Sequence, residues 1–175
     1  MLTEQIKTID RVKDNGEVFT SIYDVKRMCE LCKDGLNNIE EIVIEPSCGT
    51  GNFLIEILNY KIKYAESIST NENININIIK AVSTIYGIDI MKDNVIESRK
   101  RMLSILKKYD IKILKTIINK NIISADFITG LYNNKVCFFY DWEFKNDRLY
   151  QYKYKLKNAL FDEEKKIISK YSYKI

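Results

Sequence analysis

Glu45-Pro46-Ser47-Cys48-Gly49-Thr50-Gly51-Asn52-Phe53 lies between the apolar run Ile42-Val43-Ile44 and a helical pattern that opens Phe53-Leu54-Ile55-Glu56-Ile57-Leu58. The order is strand, glycine turn, helix. Gly49 and Gly51 carry no Cβ, so the backbone between them can turn tightly and approach a ligand closely. The helix that follows aims free N–H groups and a partial positive charge at the turn. Glu45 supplies the opposite charge at the strand's carboxyl end. Such a turn suits a ligand bearing both a carboxylate and an ammonium.

A second acid, Asp89, stands at the end of the apolar run Ile85-Tyr86-Gly87-Ile88-Asp89-Ile90. In nucleotide-binding α/β folds an acid at the tip of the second strand accepts both ribose hydroxyls. Its usual distance from the glycine turn is about 20 residues. Here it is nearly twice that, because a polar stretch rich in Ser, Thr and Asn (67–77) intervenes. A dinucleotide site is therefore an awkward fit. Asp89 can also be read as the N-cap of the helical pattern that follows it.

Composition narrows the chemistry. The chain of 175 residues is 46% hydrophobic and 30% charged, with one Pro and six Gly, as expected of one globular domain. It contains no histidine, which removes histidine metal sites and histidine triads. The four cysteines stand at 29, 32, 48 and 137, with no apolar signal core in residues 1–10 and no long apolar span. A cytoplasmic protein with reduced thiols, no membrane partner and no metal is the expectation. Cys29-Glu30-Leu31-Cys32 has no second pair, and its neighbours read as the apolar side of a helix, so core packing is favoured over metal or redox chemistry. The net charge of +4 permits nucleic-acid contact without arguing for it.

The elements follow from periodicity. Residues 3–13 read as weakly helical, Asp14-Asn15-Gly16 as a turn, and Thr20 or Ser21 as the cap of a helix with Ile22, Val25, Met28, Cys29 and Cys32 on its apolar side. Strands are expected at 39–44, 85–90 and 122–123, and helices at 52–64, around 78–82 and at 92–108. A linker of possible helical character runs to Lys120. The basic side of the 92–108 helix reads as solvated. Strand-forming residues 136–144, a turn at Lys145-Asn146-Asp147 and a period of two through Leu156 make a hairpin over 136–157 with one tyrosine-rich face. The expectation is that this face packs and the lysine face meets water, with a basic aromatic surface for nucleic acid as the alternative. A charged tail, 158–175, reads as a short helix or a frayed end.

The glycine string resembles the first motif of the DNA adenine-N6 methyltransferases, written D/E-P-x-C-G-x-G-N-F. The segment Gly16-Glu17-Val18-Phe19-Thr20, about 25 residues upstream, resembles the family's segment that closes over the methionine half of S-adenosyl-L-methionine, with Ser21 where the family has Pro. Tyr86-Gly87-Ile88-Asp89-Ile90 looks like its second motif, and Asp126-Phe127 like its third. The resemblance covers about residues 11–144. It implies an α/β, Rossmann-like S-adenosylmethionine-dependent methyltransferase fold: a reduced parallel sheet of about three strands, with a core at about 11–130 and an added C-terminal β-hairpin. It also implies roles. Phe19 and Thr20 would lie over the cofactor and Glu45, Cys48, Gly49 and Gly51 at its methionine end. Asp89 and Ile90 would take the ribose and adenine, and Asp126 and Phe127 the adenine edge.

The family's catalytic tetrapeptide, [D/N/S]-P-P-[Y/F], has no counterpart, since Pro46 is the sole proline. Asp141 and Phe144 hold the outer positions of Asp141-Trp142-Glu143-Phe144 as weak catalytic candidates. That string more closely resembles a segment that larger relatives place before the tetrapeptide. Three readings stand: a DNA methyltransferase part needing a second polypeptide, a cofactor-binding regulator or restriction–modification decoy without methyl transfer, and a nucleic-acid or protein-binding module with a relict pocket.

Overall fold

The computed structural model describes residues 6–109, 111–161 and 166–174. Residues 3–5 of the expected first helix and 162–165 and 175 of the tail lie outside them. The Thr8 hydroxyl accepts the Arg11 N–H and starts α1 (Ile9–Asn15), which ends at Gly16. Ser21 caps α2 (Ile22–Leu31) by accepting the Asp24 N–H, and the single turn α3 (Lys33–Leu36) follows. Then come β1 (Val43–Glu45), α4 (Asn52–Ser67), α5 (Ile74–Ser83) and β2 (Ile85–Asp89). Next are α6 (Lys92–Leu106), α7 (Lys112–Asn121) and β3 (Ile122–Ser124).

β1, β2 and β3 form a parallel sheet in that order, with Val43 beside Ile85 and Gly87 beside Ile122. The molecule is thus mixed α/β around a three-stranded parallel sheet, as the resemblance implied. Central β2 is buried at every residue, which is why its sequence is continuously apolar up to its closing acid. α4 packs against this sheet, and Leu54, Leu58, Ile79, Met102, Ile117 and Ile122 belong to one large core.

The last quarter of the chain is antiparallel apart from one short helix: β4 (Leu131–Tyr132), β5 (Lys135–Val136), β6 (Phe138–Lys145), β7 (Arg148–Lys155), α8 (Leu156–Phe161) and β8 (Ser169–Lys174). The expected hairpin is present as β6–β7. Asn146 and Asp147 both have positive φ (50° and 54°), as a two-residue turn matched to the strand twist requires. The hairpin covers the parallel sheet. Phe139 stacks on Tyr86 with ring centroids 4.5 Å apart, and Leu156 packs with Ile88 and Ala125. Trp142 Nε1 donates to Asn121 Oδ1 (2.7 Å), while Asn121 Nδ2 donates to the carbonyls of Ser83 and Ile85.

Four expectations change. The first strand is shorter than 39–44, because Lys61, fully buried on α4, donates to the carbonyls of Asn38 (2.7 Å) and Glu41 (2.6 Å) and holds that segment as a loop. The polar stretch 67–77 is only partly loop: α5 begins at Ile74, after the Asn73 side chain accepts the Thr70 N–H. The tail, expected as a short helix or a frayed end, is helical only at 158–161 and then carries a strand, β8 pairing with β7 from Arg148–Lys174 to Lys153–Ser169. The hairpin is also inverted. Leu149 and Gln151 point into the core at 1% exposure each, and Tyr150, Tyr152 and Tyr154 take the outer face. Among the described residues no helix is long and apolar enough to cross a membrane.

Burial pulls the Lys61 ammonium down to about 8. Between that value and 10.5 the unfolded chain binds the proton and the folded chain does not, so this group adds stability as pH rises through the window. Urea denaturation of wild type and Lys61→Met across pH 8 to 10.5 is expected to show the difference moving in the wild type's favour. The gain is at most roughly 3 kcal/mol, since both carbonyl acceptors favour the ammonium.

Candidate functional site

A cleft of about 310 Å³ opens at the carboxyl ends of β1 and β2. Three segments far apart in sequence line it: Gly16–Thr20, the turn from Glu45 to Phe53, and Asp89–Asn94. Of the residues nominated from sequence, Phe19, Thr20, Glu45, Cys48, Gly49, Asp89 and Ile90 meet there.

Asp89 organises the cleft. Its Oδ2 accepts the Gly49 N–H (2.8 Å), and its Oδ1 accepts the Met91 N–H (2.8 Å) and Asn94 Nδ2 (3.2 Å). It is not the N-cap of α6, a position held by Met91. The carboxylate is 6% exposed and spends three of its roughly four acceptor positions on the protein. One position is left for a ligand hydroxyl.

The glycines serve protein contacts first. Gly49 has φ 52°, and a Cβ there would stand 3.0 Å from two ring carbons of Phe19. Gly51 has φ 89°, and a Cβ there would stand 2.6 Å from Ser98 Cβ. Gly49 thus lets the upstream segment lie on the turn, while Gly51 lets α6 approach it and does not line the cleft. Arg101 of α6 fixes the turn from outside, Nη1 donating to the Thr50 carbonyl (2.6 Å) and to Asn52 Oδ1 (2.9 Å). Asn52 Nδ2 in turn donates to the Thr20 carbonyl (3.0 Å). Arg99, also on α6, donates to the carbonyls of Ile122 and Asn119. On the basic side, expected to be solvated, Lys100 is exposed and Arg101 is instead turned to the backbone of the glycine turn.

Sequence reasoning missed the polar chain that ties residues 7–17 to the cleft. Glu17 lies between Arg11, whose Nη2 donates to Oε1 at 2.7 Å, and Asn94, whose Nδ2 donates to the same oxygen at 2.6 Å. Arg11 Nε is 2.5 Å from Glu17 Oε2. Lys7 reaches Asp93 and Asn94 Oδ1, both at 2.7 Å, and Arg11 also reaches Asp93. Arg11 and Lys7 hold the Asp93 carboxyl well below the usual range. The signal in sequence was only an Arg and a Glu six residues apart.

Electrostatically the cleft is acidic. Glu17, Glu45 and Asp89 line it, and no Lys or Arg stands among its described lining residues. Burial raises the Glu45 carboxyl, which accepts the Ser47 N–H at 3.3 Å. The Cys48 thiol is pushed up to about 12, chiefly by burial and further by the charges of Asp89 and Glu45, so it is no nucleophile at neutral pH. Cys29 is buried and pushed up to about 11, Cys32 is exposed, and both are free thiols. Among the described residues no cluster of metal-ligating side chains occurs.

The remaining nominated residues lie elsewhere. Asp126 Oδ1 accepts the N–H groups of Ile128 and Thr129, holding its own turn, and Phe127 sits edge-on to Phe161. Asp141 and Phe144 are on β6 and line a separate cavity of about 260 Å³ with Tyr86 and Thr84. None of these four lines the cleft. Comparisons with protein-family models, with curated proteins and with solved structures gave no match.

Asn94 is the joint of the polar chain. Asn94→Leu removes the donor shared by Glu17 and Asp89 in a site that is 1% exposed, and is expected to cost about 2–4 kcal/mol in urea denaturation. Limited proteolysis of this variant should then cut within residues 16–20 faster than in wild type.

Proposed function

We propose that this chain is the S-adenosyl-L-methionine-binding part of a DNA adenine-N6 methyltransferase, of Rossmann-like methyltransferase fold. A second polypeptide would supply the groups that hold the target base. The observation that carries the reading is the cleft's charge: three carboxylates, of which Glu17 is paired with Arg11, and no cationic side chain among its described lining residues. A phosphate-bearing nucleotide is repelled by such a lining, whereas a ligand with an ammonium and a sulfonium is attracted. The volume, about 310 Å³, falls at the lower end of the range of small-molecule pockets.

In this reading Glu45 takes the ammonium, and the N-terminus of α4, which has no side-chain cap, faces the carboxylate. The remaining acceptor position of Asp89 takes a ribose hydroxyl. Ile90, 51% exposed at the cleft, offers an apolar surface to the adenine ring. Phe19 and Thr20 close the methionine end, held by Gly49 and by Asn52. Bound there, the cofactor supplies an electrophilic methyl group. Asp126 and Phe127 are not needed for this arrangement.

A second reading, a cofactor-binding regulator or decoy without methyl transfer, is favoured by the single proline, Pro46, which leaves the sequence no Pro-Pro tetrapeptide. A methyl-incorporation assay on DNA, with and without extract of the source cells, separates the two. Incorporation only with the extract supports the two-chain enzyme, and none in either supports the regulator.

Calorimetry tests the cleft itself. S-adenosylmethionine is expected to bind and NAD is not. Glu45→Gln, which keeps an acceptor for Ser47, should weaken binding about tenfold at neutral pH. Because burial raises the Glu45 carboxyl, affinity should begin to fall with acidification above the ordinary carboxylate range. Equal affinity for Glu45→Gln, or preference for NAD, contradicts the reading.

A further inference from the structure

The antiparallel sheet β6–β7–β8 has a second exposed chemistry, remote from the cleft. Alternation along β7 puts Tyr150, Tyr152 and Tyr154 on the face opposite buried Leu149 and Gln151, each half-buried, so that part of every ring remains accessible. Successive rings on one face of a strand are about 6.8 Å apart. β8 runs beside them and pairs Lys174 with Arg148, Ser172 with Tyr150 and Lys170 with Tyr152. On that side the face is lined by the exposed cations Arg148, Lys170 and Lys174. Lys170 Nζ already lies over two rings, 4.5 Å from the Tyr150 centroid and 4.9 Å from the Tyr152 centroid.

The other flank differs. On β6, Glu143 pairs with Tyr150 and Asp141 with Tyr152, and Glu143 accepts the Tyr152 hydroxyl. The face therefore has a cationic rail, an aromatic row and an acidic rail in that order. On this face Lys145, Arg148, Lys170 and Lys174 meet Asp141 and Glu143, an excess of two, while Lys153 and Lys155 alternate to the opposite face. Half of the chain's net charge of +4 thus lies on this face.

We infer that this face binds single-stranded nucleic acid. Phosphates run along Arg148, Lys170 and Lys174, bases stack on the tyrosines, and the Asp141–Glu143 rail accepts from exocyclic amino groups. Stacking on a row of aromatic side chains beside a cationic groove is the general means of holding an unpaired strand without strict sequence preference. A base entering over Tyr150 or Tyr152 displaces Lys170 from the ring face toward a phosphate, so the cation is kept in use. A duplex buries its base faces and cannot stack here. This inference is independent of the ligand proposed for the cleft.

Fluorescence anisotropy tests it, using the full chain and a labelled oligodeoxycytidylate of about 12 nucleotides, within the range such surfaces cover. Binding is expected to exceed that of a duplex of equal length by tenfold or more. Its log–log salt slope should be about −2, as three phosphate contacts on a single strand require. Tyr150→Ser with Tyr152→Ser should weaken binding about tenfold or more, and Tyr150→Phe with Tyr152→Phe should retain most of it. Lys170→Glu with Lys174→Glu, on the exposed edge strand, should abolish it even if the serine pair fails to fold. No binding at low salt, preference for duplex, or indifference to the lysine reversal overturns the inference. S-adenosylmethionine calorimetry on the lysine variant keeps failure here separate from failure of the cleft.

Discussion

The Asp89 carboxylate is the constraint on which the site depends. It stands at the end of a strand buried at every residue, and three donors from two other places converge on it: the Gly49 N–H across the sheet, and the Met91 N–H and Asn94 Nδ2 at the start of α6. A buried carboxylate is tolerated only when its lone pairs are filled. Filling them here fixes the glycine turn against β2. Through Asn94 and Glu17 the same carboxylate also fixes the segment that lies over the turn. The cleft is the space left between the three pieces so joined.

That arrangement determines the charge of the cleft as well as its shape. Arg11 and Lys7 neutralise Glu17 and Asp93 without lining the cleft, so the cations that stabilise the assembly are spent outside the lining. What faces the space is acidic and half apolar. The antiparallel sheet plays a different part. Tyr86 and Ile88, on the face of the parallel sheet turned toward it, are covered by Phe139 and Leu156. Tyr150 and Tyr152 remain partly open to water, between Lys170 and Lys174 of β8 and Asp141 and Glu143 of β6.

The sequence was most legible where one local constraint decides the structure. Glycines at 49 and 51 adopt positive φ, and Asn146 and Asp147 form the hairpin turn, each as its residue type demands. The parallel sheet of three strands and the meeting of Phe19, Glu45, Gly49 and Asp89 were legible only through the resemblance, not from any one local signal. Illegible were contacts in which a side chain serves a distant backbone. Lys61 looks like one more lysine in a helical run, yet its stem is long enough to carry an ammonium to two carbonyls before β1. Arg101 read as part of a solvated face for the same reason. β8 has too few buried residues to declare itself, and exists because β7 offers it an edge. Tyr150 and Leu149 alternate equally well either way round, and only the core decides which of them goes in.

Amide hydrogen exchange of the full chain, with and without saturating S-adenosylmethionine, bears most directly on the central claim that these three segments form one cofactor site. The account predicts added protection in residues 16–20, 45–53 and 89–94 together, with none in 138–174. Protection confined to one of the three segments, or appearing instead on the antiparallel sheet, would contradict it.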